Sequence, residues 1–179
     1  ADRIAQVLET EGSVTDPVDP KTFDAAKKGL VEFKNVSFSY ADAEENALSD
    51  ITFCAAPGTT TAIIGPTGSG KSTIASLLMR FYDVTQGQIL VCGRDVREVS
   101  QHALRQQIGY IPQKGMLHSG TIASNLRYGR KEASDAELES AARVAQALEF
   151  INEKSERFDS EIAQGGANVS GGQKQRLSI

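Results

Sequence analysis

The sequence is poor in the features that mark disulfide, metal-binding, membrane-spanning or nucleic-acid-binding chains. Its two cysteines, Cys54 and Cys92, form no C-x-x-C pair, and neither histidine lies at zinc-ligand spacing. Two free thiols, both expected to be buried, in a reducing compartment fit this pattern better than a disulfide or a metal centre. No apolar run approaches the roughly 20 residues that cross a bilayer, and no secretory leader is visible, so the segment reads as soluble. The 19 Lys and Arg residues are outnumbered by 23 Asp and Glu, for a net charge of −4, and no strong basic cluster stands out. That balance argues against a nucleic-acid partner. It gives an anionic ligand no help either, so any phosphate site must rest on local geometry. No internal repeat or low-complexity tract is present.

What remains is an ordinary globular composition. The 179 residues, 40% hydrophobic and 23% charged, are enough for one domain with a sizeable core. Residues 1–10, "ADRIAQVLET", place Ile4, Val7 and Leu8 at helical spacing and read as the last turns of a helix that begins upstream. An initial Ala rather than Met agrees with a longer parent chain. Residues 11–28 carry Gly12, Pro17 and Pro20 among mixed charges and read as a linker. "LVEFKNVSFSY" alternates Val31 and Phe33, then Val36, Phe38 and Tyr40, a strand with one break in register. "ALSDITF" follows a polar loop and is expected to pair with it antiparallel.

"TTTAIIG", residues 59–65, reads as a buried strand, and "STIASLLMRFY" as the helix after it. Strand "GQILVCG", helix "SQHALRQQ" and strand "IGYIP" continue an alternation that argues for a parallel sheet with helices packed on it. After residue 114 the pattern turns helical: "GTIASNLRYG", then "SDAELESAARVAQAL", where Ser134 and Glu137 make a capping box.

"GPTGSGKST", residues 65–73, fits G-x-x-x-x-G-K-[ST] between a strand and an amphipathic helix. Glycines at 65, 68 and 70 are expected to let the backbone adopt positive φ and bring amides up to phosphate oxygens, with Pro66, Thr67 and Ser69 completing the loop. The amides form an anion nest, and the helix that follows adds its positive end. Lys71 is expected to reach the β- and γ-phosphates, Ser72 to ligate Mg²⁺, and Thr73 to donate on the α-phosphate side. The bland competitor is a glycine turn with an incidental lysine. By itself the motif points to a nucleoside triphosphate and no further.

Four further stretches extend the pattern: "VSGGQKQR" at 169–176, "GYIPQ" ending in Gln113, "FSY" ending in Tyr40, and "LLMRFYDVTQGQILVCGRDV" after the phosphate loop. Together they resemble the nucleotide-binding domain of an exporter-type ABC transporter: its signature, Q-loop, aromatic A-loop and the segment behind the phosphate loop. The resemblance covers nearly the whole chain.

It implies an α/β P-loop NTPase (RecA-like) core with an antiparallel β subdomain and an inserted α-helical subdomain, incomplete at the C-terminus. The expected division is 1–28 for the end of a transmembrane helix plus linker and 29–114 for the ATP-binding core. The helical subdomain would take 115–170, and the start of the signature helix 171–179.

The resemblance also implies roles. Tyr40 would stack on adenine, the competing reading being an inward strand aromatic like Phe38. Gln113 would touch Mg²⁺ or the attacking water, rather than being a solvated loop glutamine. Lys71 and Gln113 are the catalytic candidates, and Ser72 and Gln113 the metal ligands. Ser170, Gly171, Gly172 and Gln173 would form a second anion site rather than a polar flexible turn. Two domains would pair head to tail, each signature closing on the ATP held by the other's phosphate loop. The partners implied are a second nucleotide-binding domain, homo- or heterodimeric, and a transmembrane domain, at the cytoplasmic face of the cell membrane.

Departures from the pattern stand beside the matches. Exporters often carry Gly-Glu where this chain has Ala163-Gln164, so the carboxylate for a charge-based contact with the membrane domain is missing. Lys114 and His118 replace the usual acidic and aromatic choices after the Q-loop, and His102 and His118 are expected to be surface or helix residues. The family's magnesium-linked Asp, catalytic Glu and switch His follow the signature, and the residues after it here are only "LSI". Hydrolysis by this segment alone is therefore expected to be poor, although ATP binding is expected. The favoured reading is an ATP-hydrolysing export motor; the alternative is a nucleotide-gated regulatory module with a non-hydrolysing site. A soluble ABC ATPase of DNA repair or translation finds no support in the sequence.

Overall fold

The computed structural model describes residues 12–41 and 43–179. The helical reading of residues 1–10 lies outside them. Contacts group the chain into two compact units that divide between Gly109 and Tyr110.

In the first unit, β1 (Val31–Phe38) and β3 (Gln86–Val91) are the inner strands of a sheet that also contains β2 (Leu48–Ala55) and β4 (Arg94–Asp95), in the order β2-β1-β3-β4. All three pairings are antiparallel. The expected break in β1 is a bulge: the β1–β2 register shifts between Phe33 and Val36, and Asn35 takes φ 49°. One extra residue restores the inward face, so Phe33, Val36 and Phe38 are all buried. Local polar groups hold the bulge. The Asn35 amide donates to Thr52 Oγ1 at 2.9 Å, and Asn35 Nδ2 to Asp50 Oδ1 at 2.9 Å.

Helix α1 (Lys71–Leu78) buries Thr73, Ile74 and Leu77 in the core of this unit. It ends in a left-handed residue, Arg80 at φ 51°, whose amide bonds Leu77 O while the Phe81 amide bonds Ser76 O, a Schellman closure. An arginine tolerates that conformation because its buried guanidinium is tied down by Thr15 O at 2.9 Å, Val99 O at 3.3 Å and Asp83. The linker stretch is strapped onto the same unit. Asp16 Oδ1 accepts from the Gln101 amide at the start of α2 (Gln101–Gln106), and Lys21 pairs with Glu98.

Four expectations fail here. "TTTAIIG" is not a strand, and Ile64 is 92% exposed. "IGYIP" is not a strand either, and the parallel sheet they were to build is absent among the described residues. A strand is stabilised by ladder hydrogen bonds and by packing of its faces, and no described segment pairs with these two runs. "GQILVCG" instead joins the antiparallel sheet through β1. Cys54, expected buried, is exposed on the outward side of β2, whereas Cys92 is buried as expected.

The second unit is mostly helical. A short ribbon of β5 (Gly120–Thr121) and β6 (Glu161–Ile162) accompanies α3 (Ile122–Leu126), α4 (Asp135–Val144), α5 (Leu148–Asn152) and α6 (Gly171–Leu177). Ile122, Ile151, Ile162 and Leu177 are buried in its core. The capping box at α4 forms: the Glu137 amide donates to Ser134 Oγ, and Glu137 Oε2 accepts from the Ser134 amide at 2.9 Å. That amide, then the Ser134 hydroxyl and Arg130, hold the Glu137 carboxyl below its ordinary range. The single helix expected over 134–148 breaks in two. Gln146 is left-handed at φ 56°, and the Ala147 amide reaches back to Ala142 O at 2.7 Å.

Candidate functional site

The sequence-predicted site residues divide between the units: Tyr40 and residues 65–73 in the first, Gln113 and residues 170–173 in the second.

In the first unit the phosphate-loop motif forms a turn closed by the Ser69 amide on Pro66 O at 3.3 Å. Gly68 and Gly70 have the expected positive φ, at 85° and 81°, whereas Gly65 does not take positive φ. Gly70 is the N-cap of α1 and is fixed by sterics as well as by φ. A Cβ there would lie 2.5 Å from Leu48 Cδ2 and 2.8 Å from Ala47 O. No side chain caps this helix start, so its first amides depend on other partners. Lys71 Nζ is drawn back over the turn, donating to Gly65 O at 2.8 Å, Pro66 O at 2.6 Å and Ser69 Oγ at 3.3 Å. The turn thus gathers an ammonium, glycine-exposed amides and a helix N-terminus, a donor set suited to a polyphosphate. Ser72, next along, is exposed and has its hydroxyl available to a hard cation.

Tyr40 stands just past the end of β1 with 38% of its surface exposed. Its Oη and Thr73 Oγ1 are hydrogen-bonded at 3.0 Å. Thr73 is buried, and this bond links the aromatic to the first turn of α1. The Tyr40 ring meets Phe38 edge-to-face at 4.8 Å and Tyr82 edge-to-face at 5.3 Å. Tyr82 escaped the sequence reading because "RFYD" at a helix end looks like core filling; the visible signal was only an aromatic beside a charge.

In the second unit Gln113 is exposed in an irregular segment. Ser170 is the N-cap of α6. Its Oγ accepts from the Gln173 amide at 3.2 Å, and Gln173 Oε1 accepts from the Ser170 amide at 3.0 Å. "SGGQ" is therefore a capping box, legible as S-x-x-Q yet not read as one in the sequence. Gly171 and Gly172 are exposed, and a Cβ on either would meet open space. Ahead of the signature, Asn168 clasps the turn that carries Ala163 and Gln164: its Oδ1 accepts from the Ala163 amide at 3.0 Å and its Nδ2 donates to Glu161 O at 2.8 Å. His118 is exposed and stacks on Tyr128 at 4.7 Å; His102 is exposed on α2.

Known proteins share this pattern. The family profile described as "ABC transporter" matches residues 48–179. An uncharacterized ABC transporter ATP-binding protein of Mycobacterium tuberculosis is 46% identical over 182 residues, which takes in 100% of this chain and 31% of the relative. ATP-binding cassette sub-family B member 6 of Mus musculus is 47% identical over 152 residues, 85% of this chain and 18% of its own length. A solved structure of a bacterial Atm1-family ABC exporter with ATP bound superposes with a TM-score of 0.91 at 39% identity, covering 99% of this chain and 31% of that one. This chain thus spans less than a third of the length of these relatives. With its phosphate turn, its capped SGGQ helix and these relatives, the chain belongs to the ABC transporter family and has the fold of an exporter-type nucleotide-binding domain.

Proposed function

We propose that this chain is the ATP-binding part of an export motor, and that two copies, or one copy and a similar domain, close head to tail around ATP. One observation carries the reading: the phosphate turn joins two left-handed glycines, an uncapped helix start and Lys71 at the mouth of the turn.

In this reading Lys71 exchanges its carbonyl contacts for the β- and γ-phosphates, and the amides of residues 68–73 take the remaining oxygens. Ser72 would hold Mg²⁺, which would offset charge on the phosphates. Tyr40 stacks on the adenine ring, worth about 1–3 kcal/mol. Thr73 accepts from Tyr40 Oη and keeps its own proton to donate toward the α-phosphate.

The signature of one chain completes the site of its partner. Ser170 Oγ accepts from the Gln173 amide, which leaves its O–H proton to donate to a γ-phosphate beside the Gly171 and Gly172 amides. ATP then bridges the two subunits, and its loss releases them. A transmembrane portion at the cytoplasmic face of a membrane would convert that closure into export. The relatives' lengths support such a portion, because they extend well beyond the matched part.

Calorimetric titration with ATP and Mg²⁺ tests the division of roles. Lys71→Ala should weaken ATP binding to the monomer by about 100-fold, the upper end for a hydrogen bond to a charged group. Ser170→Ala should leave monomer binding unchanged and impair closure. Equal loss in both variants would refute the division.

A further inference from the structure

Tyr82 lies outside every motif that defines the site, yet it is built into the aromatic that the site uses. Its ring stands 5.3 Å from Tyr40 at an interplanar angle of 87° and 5.6 Å from Phe38 at 47°. Phe38 meets Tyr40 at 4.8 Å and 82°. Edge-to-face packing places the positive rim of one ring on the negative face of another and favours one tilt over its neighbours. The Tyr40 ring therefore has an aromatic contact from β1 and another from the segment after α1. Its far end is fixed separately by the 3.0 Å bond to Thr73. Three separated contacts define the plane of a ring.

The chain brings Tyr82 there by an unusual backbone. Left-handed Arg80 stops α1, and its guanidinium is locked on Val99 O, Thr15 O and Asp83. Tyr82 itself is 43% exposed, more than a residue serving only to fill a core would be.

We propose that Tyr82 is a positioning residue for the Tyr40 base platform: it sets the tilt at which Tyr40 receives the nucleobase, without touching the base itself. The inference rests on the nucleotide-binding reading given above.

The test compares two probes on the intact chain by calorimetry: ATP, which carries a base, and inorganic tripolyphosphate, which does not. Tyr82→Leu should weaken ATP binding about three- to tenfold, the range for one aromatic pair, and leave tripolyphosphate binding unchanged. Tyr82→Phe should bind ATP like the wild type. Tyr82→Leu placed in a Tyr40→Ala background should add little, because the residue it positions is gone. Equal loss of both probes would mean a merely structural role, and no loss of either would mean no role. A full additional loss in the Tyr40→Ala background would make Tyr82 a direct contact; each of these outcomes overturns the proposal. A leucine variant with altered circular dichroism is replaced by Tyr82→Met, judged by the same criteria. Failure of the wild-type chain to bind ATP at all would sink the nucleotide reading instead, so the two failures are distinguishable.

Discussion

Two helices of this chain have glycine at or next to the N-cap, and they begin differently. Helix α1 starts at left-handed Gly70 with no side-chain cap, and the nearby ammonium of Lys71 rests on loop oxygens. Helix α6 starts at extended Ser170, and Ser170 and Gln173 satisfy each other's amides in a closed box. The first start has no side-chain cap, so its leading amides depend on partners from outside the helix. The second is a finished local structure that can still lend a hydroxyl proton and two glycine amides. The same physics of helix N-termini thus yields one end that depends on what it binds and one that is self-sufficient. On the proposed reading, the first grips ATP in the monomer and the second joins only on closure.

Gly70→Ala should break the comparison most strongly. The added Cβ meets backbone and side chain at 2.8 and 2.5 Å in a left-handed conformation. Overpacking and φ strain together cost about 2–5 kcal/mol, and the α1 start should lose its shape. Thermal unfolding of the variant should show that loss along with loss of ATP binding. A variant that is as stable as the wild type and still binds ATP would mean that Gly70 is not what shapes the loop.

The smallest expected effect sharpens the comparison in a third helix start, at α4. Glu137 has its carboxyl pKa lowered by the Ser134 amide and hydroxyl and by Arg130. A group whose folded value is depressed contributes stability above its unfolded value and loses it as pH falls through the folded one. The contribution of Glu137 is therefore present at neutral pH and fades in the acidic range, below about 4.3 where an unfolded Glu titrates. Glu137→Gln should abolish that part of the pH dependence while keeping the cap, read as the difference between the two thermal midpoints across pH 3–7. An unchanged pH profile would show that the box does not depend on charge.

Much of this was legible in the residues themselves. The break between Val31-Phe33 and Val36-Phe38 foretold the β1 bulge, because burial repeats every second residue and an extra residue must be absorbed somewhere. Ser134 and Glu137 foretold the α4 cap. The phosphate turn was readable because its spacing is local and its glycines have steric reasons. What stayed hidden depends on distant partners. "TTTAIIG" and "IGYIP" have strand composition, but no described segment offers them a ladder. The break at Gln146 opposes the helical pattern around it, and nothing in "RVAQAL" announces a left-handed residue. Cys54 alternates outward on β2, which only the pairing with β1 reveals. Tyr82 joins Tyr40 through a turn made by a buried arginine, a contact that no spacing rule contains.

The most direct test of a triphosphate shared between subunits is a mixing experiment. Chains with Lys71→Ala and chains with Ser170→Ala are each examined for ATP-dependent dimers by sedimentation, alone and in equal mixture. Neither alone should dimerise. The mixture should, because a head-to-tail pair then contains one site with an intact lysine from one chain and an intact serine from the other. A mixture that stays monomeric, while unmodified chains dimerise with ATP, would contradict the account.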